Sequence, residues 1–493
     1  MSKRFLLAFG GTGARVAESV CYLQAAGFIR DPLHVLIIDP DGANGNVVHA
    51  RRQLERYVRF HKHFDSGGVE GKGGRAPFDS PLNPGFGEGS VFWEYPNTKK
   101  PFRDLLGVAG LPDDQQALLK LLYDDSDLDR TFEIGYVGRA HVGSLDLYRT
   151  IKEAMSRLAN GGSEEADQAI DQFFGALRAE AQSGHPRLLV TGSVFGGTGA
   201  SGVPTIPALL KELLPTLRSK VVVGGLLYGP YFTFGGGGDD DPDSALHPLA
   251  TRAALYHYAS THVGFDTVLF LGAPSPKETN KKNVPGGALQ RNQAHYAELA
   301  GAAAADHFFS APEAQVRGGQ VLTSGATEVS WAEFPGTRQD ELRQKMAAFT
   351  AASLFHAHFA WDLFDSGSHA DHPWATKVAT DQGKGLGGKE DELKEFRVFA
   401  RRYLDWVRDV GESVVDADGH QLLGVPRSID AASLGSILKE PQRPDDPFDR
   451  FFRILNQAPQ SGRTTAFSRY LDMLGHTSVQ FCDETYRSWS WGS

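Results

Sequence analysis

Two stretches of this chain combine residue types suited to holding phosphate. One reads Gly10-Gly11-Thr12-Gly13-Ala14-Arg15 after the apolar run Phe5 to Phe9; the other reads Phe195-Gly196-Gly197-Thr198-Gly199-Ala200-Ser201-Gly202, shortly after Leu188-Leu189-Val190. A glycine turn that leaves a buried strand and opens a helix aims several backbone N–H groups at one point. That point lies beside the positive end of the helix dipole, with no Cβ to block close approach. Thr198 and Ser201 add hydroxyl donors, and Arg15 adds a positive charge. Neither loop carries the Lys-Ser/Thr pair of a P-loop, and neither fits Gly-x-Gly-x-x-Gly, so backbone amides and hydroxyls would do the holding. The competing duties are tight strand-to-helix packing for the glycines and helix capping for the hydroxyls.

Other residues have chemistry of their own. Asp39 and Asp41 end an apolar run in Ile38-Asp39-Pro40-Asp41-Gly42, where dinucleotide folds put a ribose-binding acid and where turns also favour Asp-Pro-Asp-Gly. Asn292 and Tyr296 fall one helical turn apart near the start of a long Ala-rich helix, which the spacing predicts over 288–309. On one face, the amide would read a purine edge and the ring would stack on it. His356-Ala357-His358 has the wrong helical spacing for one metal ion, and Gly235 to Asp243 lacks the spacing of a calcium loop.

The elements that must position these groups alternate. Strands are predicted over 4–9, 34–38, 132–137, 187–190, 221–228 and 267–271, with helices over 14–26, from 141 onward, and over 166–181, 204–214 and 247–260. This is the βαβ pattern of an α/β protein with a parallel sheet. A first domain is read over 1–310, with a flexible Gly- and Pro-rich insertion at about 61–92. The pattern changes afterwards, and 311–493 is read as a second, α+β and partly helical domain ending in a Trp-rich tail.

The chain has 493 residues with 41% hydrophobic, enough for a large core. Its formal net charge of -10 argues against nucleic acid as a partner. Cys21 and Cys482 are too few for a disulfide framework, and no apolar run is long enough for a membrane span, so a soluble, cytoplasmic protein is expected.

The second loop resembles the Gly-Gly-Gly-Thr-Gly-Ser-Gly signature of the tubulin and FtsZ superfamily, and the order of elements from 1 to 309 is similar to that of its divergent bacterial tubulin-like members. The resemblance implies a tubulin/FtsZ-like nucleotide-binding domain with a long central helix, binding GTP or GDP with Mg²⁺. It implies phosphate contacts from Gly10, Gly11, Thr12, Gly13, Arg15, Gly196, Gly197, Thr198, Gly199 and Ser201. A γ-phosphate loop would include Gly138 and Arg139 beside His141, base contacts would come from Asn292 and Tyr296, and Asp41 would face Mg²⁺ through water. It also implies self-association head to tail into a homo-oligomer or filament. The sequence departs from the family in four places: Phe195 replaces a small residue, Ser201 replaces the last glycine, the insertion from His61 to Phe92 has no counterpart in compact members, and the acidic motif that positions the attacking water is missing after residue 309. Asp306 and Glu313 are the nearest acids, so hydrolysis is expected to be slow or absent. Two other readings stand beside this one. A Rossmann-type NAD(P) oxidoreductase would need a Tyr-x-x-x-Lys pair such as Tyr148 and Lys152, which falls too early in the topology. A catalytically silent scaffold would use nucleotide to switch an unidentified protein partner.

Overall fold

The computed structural model describes residues 4–62, 77–159, 162, 165–234, 247–261, 263–273, 277–279, 291–317, 321–323, 334–379, 386, 391–413 and 447–486. The acidic stretch 235–243 and the Trp-rich tail lie outside them. Seven parallel strands make one sheet in the order β3-β2-β1-β4-β5-β7-β9. They are Arg4–Phe9 (β1), Leu33–Ile38 (β2), Phe92–Trp93 (β3), Arg187–Ser193 (β4), Val222–Tyr228 (β5), Thr267–Leu271 (β7) and Val321–Thr323 (β9). Phe232–Phe234 (β6) and Lys277–Thr279 (β8) form a separate parallel pair.

The central strands β1, β2, β4 and β5 are mostly apolar and buried almost throughout because both faces are covered, as parallel sheets require. Alternation along β1 sends Leu6 and Ala8 to one face and Phe5, Leu7 and Phe9 to the other. Against the second face pack helices Ala140–Ala159 (α3), Gln168–Ser183 (α4) and Gly197–Leu213 (α5). Against the first pack Gly10–Ala25 (α1), Gly45–His61 (α2) and Tyr296–Ser310 (α7), the remaining long helix of this half being His247–Thr261 (α6). Phe9 pairs with Ile38, and Ala8 with Thr191, so β1, β2 and β4 all release the chain at the same edge.

The structure changes several expectations. Residues 132–137 form no strand: Gly135, Val137 and Gly138 adopt φ of 71°, 45° and 76°, which breaks extended pairing. The third strand on that side is β3, drawn from the segment read as an insertion. Residues 63–76 of that segment lie outside the described residues, but Phe78, Leu82 and Val91 are buried, and Asn83 is hydrogen-bonded to both the N–H and C=O of Val35. Helix α5 starts at Gly197, seven residues ahead of its predicted start at Pro204, so Pro204 sits inside it. The carbonyl of Ala200, which loses its amide partner to that proline, accepts a hydrogen bond from Tyr258 Oη at 2.8 Å.

The second domain is also revised. Strand β9 belongs to the first sheet, and the other described residues past 311 form helices and loops, chiefly Gln339–Leu354 (α8), Asp391–Glu412 (α9) and Ala466–Tyr486 (α10). They share one core with α1 and α2: Tyr22 packs its ring on Phe399, Tyr403 and Trp406, and Trp406 Nε1 donates to Ser19 Oγ at 3.1 Å. No helix among the described residues is long and apolar enough to cross a membrane.

Within these helices His356 is buried, with Nδ1 at 3.0 Å from Tyr470 Oη and Nε2 at 3.2 Å from the Leu393 carbonyl. Burial holds its pKa down at about 3 against an ordinary 6.5. A folded-state pKa below the unfolded one means that the neutral ring stabilises the fold above about pH 6.5, and that this contribution is lost as pH falls toward 3. Stability is expected to drop by roughly 2–4 kcal/mol between pH 6.5 and 4. A His356→Gln variant should flatten that slope in urea melts; an unchanged slope would remove His356 from the account.

Candidate functional site

The carboxyl edge of the sheet carries a cavity of about 360 Å³, at the point between β1 and β4 where the strand order runs outward in both directions. Such switch points are where open parallel sheets bind ligands, because neighbouring loops there diverge. Two helix N-termini open onto it. Helix α1 follows Phe9 and helix α5 follows Gly196, and neither has a side-chain cap, so their first amides face the cavity with no capping side chain. Gly10 holds φ +72°, a conformation that favours glycine, and a Cβ on it would crowd Thr198 at 3.3 Å.

Twelve of the predicted contacts line this cavity. From the first loop come Gly10, Gly11, Thr12 and Arg15; from the second, Gly196, Gly197, Thr198 and Gly199; from the rim loop, Gly138 and Arg139; and elsewhere, Asp41 and Asn292. Thr198 Oγ1 donates to Asp39 Oδ1 at 3.2 Å, which also accepts from the Asp41 amide at 3.2 Å. Burial, and then the adjacent Asp41, push the Asp39 carboxyl up to about 7. Arg139 pairs with Asp127, which His141 Nε2 also approaches at 3.0 Å.

Arg15 lies on the cavity wall, but its charge is matched: Nη2 is 3.0 Å from Glu298 and bonded to Tyr231 Oη, and the guanidinium sits over the Phe232 ring. Burial opposes that charge, yet Glu298 and Tyr231 outweigh burial and raise its pKa. Phe195 occupies the aromatic wall, 4.7 Å from His247 and 5.7 Å from Phe232 between ring centroids.

Three predicted contacts are absent from the cavity. Gly13 serves packing: a Cβ there would lie 3.0 Å from the Ala8 carbonyl carbon and the Thr191 oxygen. Ser201 is fully buried and donates to the carbonyls of Ala140 and Gly197, tying α5 to the start of α3. Tyr296 is the first residue of α7, with a capping box formed by His295 and Glu298, and it packs half-buried against the core. Asn292 therefore precedes the helix, and the one-turn relation to Tyr296 does not exist. Asp306 and Glu313 lie at the opposite, amino edge. Asp306 is buried 2.9 Å from Arg338, and Glu313 is 2.7 Å from Arg317, near His185 and the first residue of β4, Arg187. Tyr148 and Lys152 both meet Glu212 at the surface, away from the cavity.

Sequence reasoning missed Asn44, Asn46, Tyr136, Ser193, Phe232 and His247, all cavity residues. A signal for the first two existed in Asn44-Gly45-Asn46, separated by two residues from the Asp39-Pro40-Asp41 turn. Comparison with protein-family models and with curated proteins finds no match to this chain.

Proposed function

We propose that this protein binds a guanine nucleotide with Mg²⁺ in the cavity at the carboxyl edge, as a tubulin/FtsZ-like GTP-binding protein with slow or absent hydrolysis. The observation that carries the reading is the convergence of two glycine-opened helices without side-chain caps on one cavity at the sheet's switch point. The carboxyl pair suits a divalent cation: Asp39 accepts from Thr198 Oγ1 and the Asp41 amide, and burial and the neighbouring Asp41 disfavour its charge, which a cation would restore. A cation bound there would neutralise phosphate charge, with Asp41 reaching it through water. No cluster of three metal-ligating residues exists among the described residues, so phosphate and water would complete its shell.

Head-to-tail self-association follows from the resemblance and would be heterologous, giving filaments or rings. Asp306 and Glu313 lie on the edge away from the cavity, as such stacking needs, but both are engaged by arginines. That engagement favours weak turnover, and it equally suits a nucleotide-switched scaffold acting on a protein partner.

The test is to extract the purified chain and identify any nucleotide, then measure GTP and ATP binding with and without Mg²⁺ and phosphate release against protein concentration. Guanine nucleotide, Mg²⁺-dependent binding and a low rate per chain that stays flat with concentration are expected. A bound nicotinamide dinucleotide would overturn the reading; a rate climbing steeply with concentration and lost in Glu313→Ala would restore assembly-coupled hydrolysis.

A further inference from the structure

We propose that Asn46 is a ligand-positioning residue, its Nδ2 donating a hydrogen bond to a sugar or phosphate oxygen of the bound nucleotide. This rests on the nucleotide reading above. Asn46 is the second residue of α2 and only 6% exposed, and what remains open faces the cavity. Its orientation is fixed by hydrogen bonding. The backbone N–H of Asn292, which can only donate, reaches Asn46 Oδ1 at 2.9 Å, so Nδ2 must point the other way.

Asn46 Nδ2 makes no hydrogen bond among the described residues. It lies 3.5 Å from where a β-carbon on Gly11 would stand, over the first turn of α1. Asn44 supports the arrangement, its Oδ1 accepting from the Asn46 amide at 3.0 Å and capping α2. One side chain thus joins the loop that precedes α7 to the first glycine loop, and it holds an unmatched donor between them. Nδ2 retains accessible surface, and the cavity that Asn46 lines is the space from which an acceptor can come. Beside amides suited to anions, that acceptor is an oxygen of the sugar–phosphate chain rather than an apolar group.

The test uses the full chain and titration calorimetry with GTP, 2′-deoxy-GTP and 3′-deoxy-GTP. Asn46→Asp keeps the acceptor for the Asn292 amide but puts a carboxylate oxygen where the donor was; Asn46→Ala removes both without adding charge. If the partner is a phosphate oxygen, Asn46→Asp should weaken all three ligands at least tenfold, and Asn46→Ala less. If it is a ribose hydroxyl, Asn46→Ala should weaken GTP to the level of one deoxy analogue, while binding of that analogue is unchanged. Melting curves of the ligand-free variants report whether α2 is intact. Wild-type binding with both folded variants within twofold for every ligand would overturn the Asn46 assignment alone. A wild-type chain that binds none of the three would overturn it together with the nucleotide reading.

Discussion

A Gly11→Ala variant is expected to lose at least tenfold in GTP affinity while melting at or above the wild-type temperature. The added β-carbon would meet Asn46 Nδ2 at 3.5 Å and Asn44 Oδ1 at 3.6 Å, ordinary contacts that the fold tolerates. Alanine inside a helix is favoured over glycine by roughly 0.5–1 kcal/mol, so stability should not suffer. The methyl group would occupy the wall where, on the proposed reading, the first amides of α1 would approach phosphate, and close approach is what a glycine loop provides. Gly197 is a poorer probe, because a Cβ there would stand 2.9 Å from Tyr136 Cβ and 3.1 Å from the Gly138 nitrogen, pushing the rim loop aside. Gly10 is poorer still, with its φ of +72°. Calorimetry and melting on the same Gly11→Ala preparation decide the matter; unchanged GTP affinity in a folded variant would end the assignment of this loop to phosphate.

Glu298→Ala should destabilise the ligand-free chain by roughly 3–5 kcal/mol, the usual result of leaving one member of a buried ion pair alone. Glu298 is 1% exposed and Arg15 5%. Its carboxylate also accepts from Tyr231 Oη at 3.0 Å and from the His295 amide, so the start of α7 is undone with the pair. The unmatched Arg15 charge would then lie on the wall of the cavity proposed to hold the nucleotide. GTP should therefore raise the melting temperature of the variant by more than it raises that of wild type. Denaturant unfolding with and without GTP measures both effects. A loss below 1 kcal/mol, or equal stabilisation by ligand, would show that the pair does not govern charge at this site.

The local rules were legible in the residues themselves. Apolar runs bounded by glycine and Asp-Pro-Asp-Gly mark β1, β2, β4, β5 and β7, because a strand buried on both faces has to be mostly apolar and its exit has to turn. The two glycine loops stand out because few other residue types let backbone amides approach a ligand so closely. Chain order alone also placed both loops after strands of one parallel sheet, and that was enough to suggest a shared ligand.

Three-dimensional packing decided the rest. Two residues of Phe92–Trp93 carry too little periodicity to announce a strand, and only pairing with Ile37 and Ile38 makes them one. Ser201 has the composition of a phosphate ligand, yet the carbonyl of Ala140, 61 residues earlier, claims its hydroxyl. Arg15 reads as a free cation until Glu298, from the other end of the domain, is brought 3.0 Å away. Asn46 looks like an ordinary loop residue until the amide of Asn292 fixes its orientation. Each of these depends on a partner that is distant in sequence, and local propensity holds no information about such a partner. The residue type limited the chemistry available at each position, and the contact made in the fold determined whether that chemistry was spent on packing or left facing the cavity.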